Sequence, residues 1–201
     1  MQITINKKTG ALISAIVVLL AVIGGLVLRG ESSNTSAGHM GHSMGGMQSA
    51  DSDLTSADIL FLQMMIPHHQ QAIGMSEIAI NKSKDQELLS LAKRITTSQG
   101  AEIIKMKAWL DQAGAGTEMG AMGHSMSGML SESDLAELKN SVGTKFDTLW
   151  LEGMIGHHDG AIDMTSMIDD AKNKEIKAFG LQIIADQSAE ITQMKAMLSR
   201  I

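Results

Sequence analysis

The chain has 201 residues, seventeen methionines, no cysteine and a formal charge of −6, enough length for one or two domains. Two Trp, three Phe and no Tyr leave little on which bases could stack, and the negative charge argues against a phosphate-binding surface, so no nucleic-acid partner is expected. Methionine without cysteine supplies sulfur that needs no deprotonation and forms no disulfide, which suits an oxidising compartment.

Ala11 to Leu28 is an uncharged run of 18 residues between Lys7-Lys8 and Arg29. It exceeds the usual apolar stretch of a signal peptide and approaches a membrane span. No convincing cleavage site follows it, and without cysteine there is no lipoprotein anchor. Residues 1–30 therefore read as a signal anchor with the N-terminus cytoplasmic. A cleaved signal peptide is the alternative, and both readings export the rest of the chain. Residues 31–54, mostly Gly, Ser, Asn and Asp, read as a flexible tether.

Inside that tether lies Met40-Gly-His42-Ser-Met44-Gly-Gly-Met47, and it recurs 82 residues on as Met122-Gly-His124-Ser-Met126-Ser-Gly-Met129. Each copy sets three thioethers and one imidazole among glycines, which cost about 1 kcal/mol each against alanine in a helix. The phrases cannot build a core, so their repetition asks for a chemical reason. Thioether sulfur selects Cu(I), and imidazole suits copper in either oxidation state. His39 is placed to join the first phrase.

Residues 55–201 read as all-α. A helical pattern runs from Ser56, a plausible N-cap, to Asn81, and Ser83-Lys-Asp-Gln86 fits a capping box opening a second helix to Ala113, where Gly114 is a stop. The connector 114–130 carries the second Met-His phrase. Ser131 begins a short helix to Asn140, broken at Gly143-Thr144. A third long helix is expected to reach Asp170, and a fourth to run from Lys174 to Arg200.

The two halves are duplicates. Met65-Ile-Pro-His-His-Gln-Gln-Ala-Ile-Gly-Met75 aligns with Met154-Ile-Gly-His-His-Asp-Gly-Ala-Ile-Asp-Met164 at an offset of 89; Gln99, Glu102 and Met106 align with Gln187, Glu190 and Met194 at 88. Two hairpins, 55–113 and 131–201, pair naturally into a four-helix bundle. Met65 and His69, like Met154 and His158, share a helix face at i and i+4; His68 and Met75, like His157 and Met164, share a stripe two turns apart. Four histidines near one interior are costly to bury without partners or a metal, so His68, His69, His157 and His158 are candidate ligands. Met106 and Met194 read as core filler. Gln99, Glu102, Gln187 and Glu190 are candidates to orient the histidines from behind. Pro67 and Gly156, just before each pair, both weaken a helix and are expected to kink it there.

The doubled Met-Ile-x-His-His-x-x-Ala-Ile-x-Met, with Gln-x-x-Glu-Ile-x-x-Met downstream, resembles a bacterial family known as domain of unknown function 305. The resemblance spans about residues 55–200. It implies a ferritin-like four-helix fold and a role in periplasmic copper binding and resistance, with Met65, His68, His69, Met75, Met154, His157, His158 and Met164 carried over as site residues. The halves differ where Gln70-Gln71 stands against Asp159-Gly160, so the first site is expected to bind less well or differently.

The leading expectation is a membrane-tethered, non-enzymatic copper-binding protein on the extracytoplasmic side. It would sequester Cu(I), with Cu(II) and Ag(I) as further ions, or pass copper to an accepting envelope protein. A non-metal interaction module ranks second. A di-metal oxidase ranks last: such sites need Glu-x-x-His pairs, and Glu102 and Glu190 are followed at that spacing by Lys105 and Gln193.

Overall fold

The computed structural model describes residues 54–118 and 126–201, which are all-helical with no strand among them. Helix α1 spans Ser56–Lys82, α2 Gln86–Gln112, α3 Glu132–Asn140, α4 Gly143–Met164 and α5 Lys174–Leu198, with a 3-10 turn at Thr165–Ile168. No helix among the described residues is long and apolar enough to cross a membrane. The expected anchor at 11–28, the tether to residue 53 and residues 119–125 lie outside the described residues.

The helix ends follow local chemistry, with three corrections to the sequence reading. Helix α1 is capped by Thr55, not Ser56. The Thr55 hydroxyl accepts from the Asp58 N–H, and the Asp58 carboxylate accepts from the Thr55 N–H at 2.7 Å, a complete capping box. Helix α2 is capped by Asp85, whose carboxylate accepts from the Leu88 N–H at 2.8 Å. Ser83 is taken up as the C-cap of α1, and an ionised Asp caps at least as well as Ser. Helix α4 stops at Met164 rather than Asp170. There the Thr165 and Ser166 hydroxyls donate to the Ile162 and Asp163 carbonyls, each at 2.7 Å, competing with the α-helical ladder and tightening the chain into the 3-10 turn. The Ser131 cap and the Gly114 stop (φ +65°) are as expected. Helices α1 and α4 run unbroken through Pro67 and Gly156.

Two apolar cores lie end to end. One joins the first half of α1 (Phe61–Ile66), the second half of α2 (Ile103–Leu110), the end of α4 with its 3-10 turn (Ala161–Ile168) and the start of α5 (Ile176–Ile183). The other joins the complementary halves: Ala72–Ala79, Leu88–Ile95, Phe146–Met154 and Ile191–Met197, with Leu138 of α3. This alternation makes α1 antiparallel to both α2 and α4, and α4 antiparallel to α5. Duplicated residues consequently exchange places: Met65 shares a core with Met164, and Met75 with Met154. Met106 and Met194 fill one core each, as the sequence reading held. Between the cores, at mid-height, falls the layer containing both His-His pairs.

Candidate metal centre

In an antiparallel pair related by the duplication, only the residues at the crossing meet their own counterparts. His68 and His157 occupy that point: their ring centroids are 3.8 Å apart and the planes tilt by 39°. His158 follows at 6.3 Å from His157. All four histidines are fully buried. The two motifs therefore meet in one buried layer, through His68 and His157.

The layer behind them is as regular. His69 donates from Nε2 to Glu102 at 2.7 Å, and His158 donates from Nε2 to Glu190 at 2.7 Å. Each carboxylate lies one helix away in its own hairpin and keeps 17% of its side-chain surface exposed, so its charge stays partly hydrated. Glu102 and Glu190 thus each hold one histidine ring by a hydrogen bond. Gln99 and Gln187 are buried in the same layer, but neither Gln99 side-chain atom nor Gln187 Oε1 has a partner.

Residues 126–130 of the connector supply what spacing could not reveal. Ser127 places its carbonyl 3.0 Å from His68 Nε2, which donates to it. Gln71 grips the next stretch twice: its Oε1 accepts from the Leu130 N–H at 2.8 Å and its Nε2 donates to the Leu130 carbonyl at 3.0 Å. On the opposite side Gly160 leaves the room for this strap, because a Cβ there would overlap the Ser127 carbonyl and fall 2.7 Å from Gly128 Cα. Gly128 itself holds φ +78°. Gln71 and Gly160 occupy one of the four positions at which the two copies differ, and this mismatch seats one connector. Met126 and Met129 are half-buried, and Met126 packs on the core that holds Met65 and Met164. Met40, His42, Met44, Met47, Met122 and His124, with His39, lie outside the described residues.

The electrostatics hold two of the four histidines, His68 and His157, in the neutral form. Burial pushes His68 down to about 4, opposed by the Ser127 carbonyl and reinforced by His69 and His158. Burial, with His68, His158 and His69 around it, holds His157 well below the ordinary histidine range. Neutral imidazole is the metal-ligating form. Five imidazole nitrogens in this layer are buried with no partner: Nδ1 of all four histidines and Nε2 of His157. An orphaned buried polar atom costs about 1–3 kcal/mol. Among the described residues, no three histidine, aspartate or glutamate side chains are grouped to hold an ion by themselves. Imidazole nitrogen suits copper and zinc and suits a hard cation poorly, and thioether sulfur added to it would turn the preference to a soft monovalent ion.

The depressed histidines fix a pH dependence for the metal-free protein. Unfolded His68 takes a proton near 6.5, whereas in the folded chain it does so only near 4. Protons between those values bind the unfolded state preferentially, and stability falls as the pH drops through that window. The 2.5-unit gap (6.5 minus 4) amounts to about 3 kcal/mol from His68 alone. Urea midpoints measured from pH 7 to 4 should decline, with a shallower slope in His68→Gln; a flat profile would contradict the burial of a neutral His68.

Residues 58–198 match the family model described as Domain of unknown function (DUF305). Among solved structures, the chain is similar to a DUF305 protein from Streptomyces coelicolor predicted to be secreted, with 28% identity, a TM-score of 0.68, and coverage of 74% of this chain and 94% of that one. It is also similar to CopM in its Cu(II)-bound form, with 36% identity, a TM-score of 0.60, and coverage of 71% of this chain and 96% of that one. CopM has been solved in Cu(I)-bound and silver-bound forms as well. An uncharacterized protein, L153, from Acanthamoeba polyphaga mimivirus is 44% identical over 55 residues; the match takes in 27% of this chain and 36% of that relative's length.

Proposed function

The chain belongs to the DUF305 family, and from that premise we propose that it is an exported copper-binding protein, tethered to the membrane by residues 11–28, that sequesters Cu(I) or hands it to an accepting envelope protein. The carrying observation is the set of five unpartnered imidazole nitrogens in a buried, methionine-flanked layer. Copper is cargo here, and no enzymatic step is assigned. The fold is a ferritin-like four-helix bundle. His68, His69, His157 and His158 ligate, with thioethers from Met65, Met75, Met154 and Met164 on either side of the crossing. The Met-His phrases (Met40, His42, Met44 and Met47; Met122, His124, Met126 and Met129) capture the ion outside the bundle. Soft sulfur donors favour Cu(I), with Ag(I) as a close substitute and Cu(II) reachable through imidazole. The copper- and silver-bound forms of CopM support this reading by similarity.

An anaerobic Cu(I) titration of the full chain against a chromogenic chelator tests it. Several equivalents withheld from the chelator are expected, and fewer when Met40, His42, Met44, Met47, Met122 and His124 are replaced by alanine, which leaves the Ser127–Gly128 strap in place, with helicity unchanged. No competition at all would overturn copper handling and leave a non-metal interaction module of the envelope.

A further inference from the structure

We infer that His68, His69 and His158 each offer a metal ion Nδ1 and not Nε2, because the Nε2 of each is committed to a fixed acceptor: the Ser127 carbonyl, Glu102 and Glu190. The inference rests on the copper-binding reading and adds to it the ligating atoms and the groups that select them.

The argument is one of hydrogen bookkeeping. A neutral imidazole carries one N–H and one lone pair, and a metal takes the lone pair. A backbone carbonyl accepts and cannot donate, and neither can an ionised carboxylate. The contacts at 3.0 Å (His68 to Ser127), 2.7 Å (His69 to Glu102) and 2.7 Å (His158 to Glu190) therefore each place the hydrogen on Nε2. The lone pair is left on Nδ1, and in all three rings Nδ1 is buried without a partner. Had the protein needed Nε2 for the metal, three acceptors at hydrogen-bond distance would oppose it. Both copies repeat the carboxylate arrangement, so it is a property of the duplicated unit. His68 is the exception, and its acceptor comes from the connector.

His157 completes the picture by contrast. Neither of its nitrogens has a partner, and its ring stacks against His68. It is the one imidazole of the four with neither nitrogen committed to an acceptor. Glu102 and Glu190 are positioning residues: they pin the tautomer and raise the basicity of the ring, and they also set negative charge one imidazole away from a bound cation.

Long-range proton–nitrogen NMR of the 15N-labelled full chain reads this directly. Before metal, His68, His69 and His158 should each show a protonated Nε2 and a lone-pair Nδ1. Anaerobic Cu(I) should shift the Nδ1 resonances and leave Nε2 protonated. Glu102→Ala and Glu190→Ala should let the Nδ1–H tautomer appear and lower Cu(I) affinity by about 10–100-fold; general loosening of the fold would not give that nitrogen signature. Cu(I)-induced shifts at Nε2 would overturn the assignment while leaving copper binding intact. Histidine signals indifferent to Cu(I) would overturn the copper centre and the assignment together.

Discussion

Saturating the metal-free protein with Cu(I) is expected to raise the thermal midpoint of the helical region by about 10 °C. A ligand at 1,000 times its Kd stabilises by about 4 kcal/mol, and each kcal/mol shifts a region of this size by about 2–4 °C. The double variant His68→Leu/His157→Leu separates function from stability. It removes three of the orphaned nitrogens, His68 Nδ1 and both of His157, and puts apolar groups where the two cores meet. Replacing buried polar groups by apolar ones of similar shape is near neutral or stabilising. The variant should melt at or above the wild-type temperature without metal and lose the Cu(I)-induced rise. Differential scanning calorimetry with and without Cu(I) decides it: a rise retained in full would remove these histidines from the site. A variant that is more stable and inert would mean that the apo fold carries a cost which only the ion repays.

Much of this arrangement was legible in the residues. The duplication, the helix count and the His-His pairs follow from repeated words and helical spacing, and Glu102 and Glu190 were reachable because they recur in the duplicated unit, at an offset one residue short of that of the histidines. That the pairs merge could not be read, because spacing along one helix says nothing about where two helices cross. The exchange of cores, Met65 with Met164 and Met75 with Met154, is what puts His68 against His157. The helix ends slipped where several capping residues stood in a row, as at Ser83 and Asp85, and where Thr165 and Ser166 turned on their own helix. The strap left a trace in the Gln71–Gly160 mismatch. That trace reads as a weakened site until the connector is seen lying between the two positions.

The strap leads to the second large effect. Gly160→Ala should weaken Cu(I) binding by about 10–100-fold, the usual loss when a group that orients a ligand is removed, while Gly156→Ala should not. Both glycines lie inside α4, where alanine is worth up to about 1 kcal/mol to the helix. A Cβ at Gly156 meets nothing within 4 Å. At Gly160 it meets the backbone of Ser127 and Gly128, which cannot swing aside as a side chain could. Overpacking of that kind costs about 1–3 kcal/mol, so the propensity gain is lost and the strap is pushed from its seat. Ser127 then no longer holds His68 Nε2, and His68 can turn its lone pair away from the ion. Gly156→Ala is therefore expected to melt at or above wild type with its Cu(I) affinity intact, and Gly160→Ala several degrees below with weakened binding. Equal behaviour of the two variants would mean that the connector does not rest on α4, and that His68 is held by something other than Ser127.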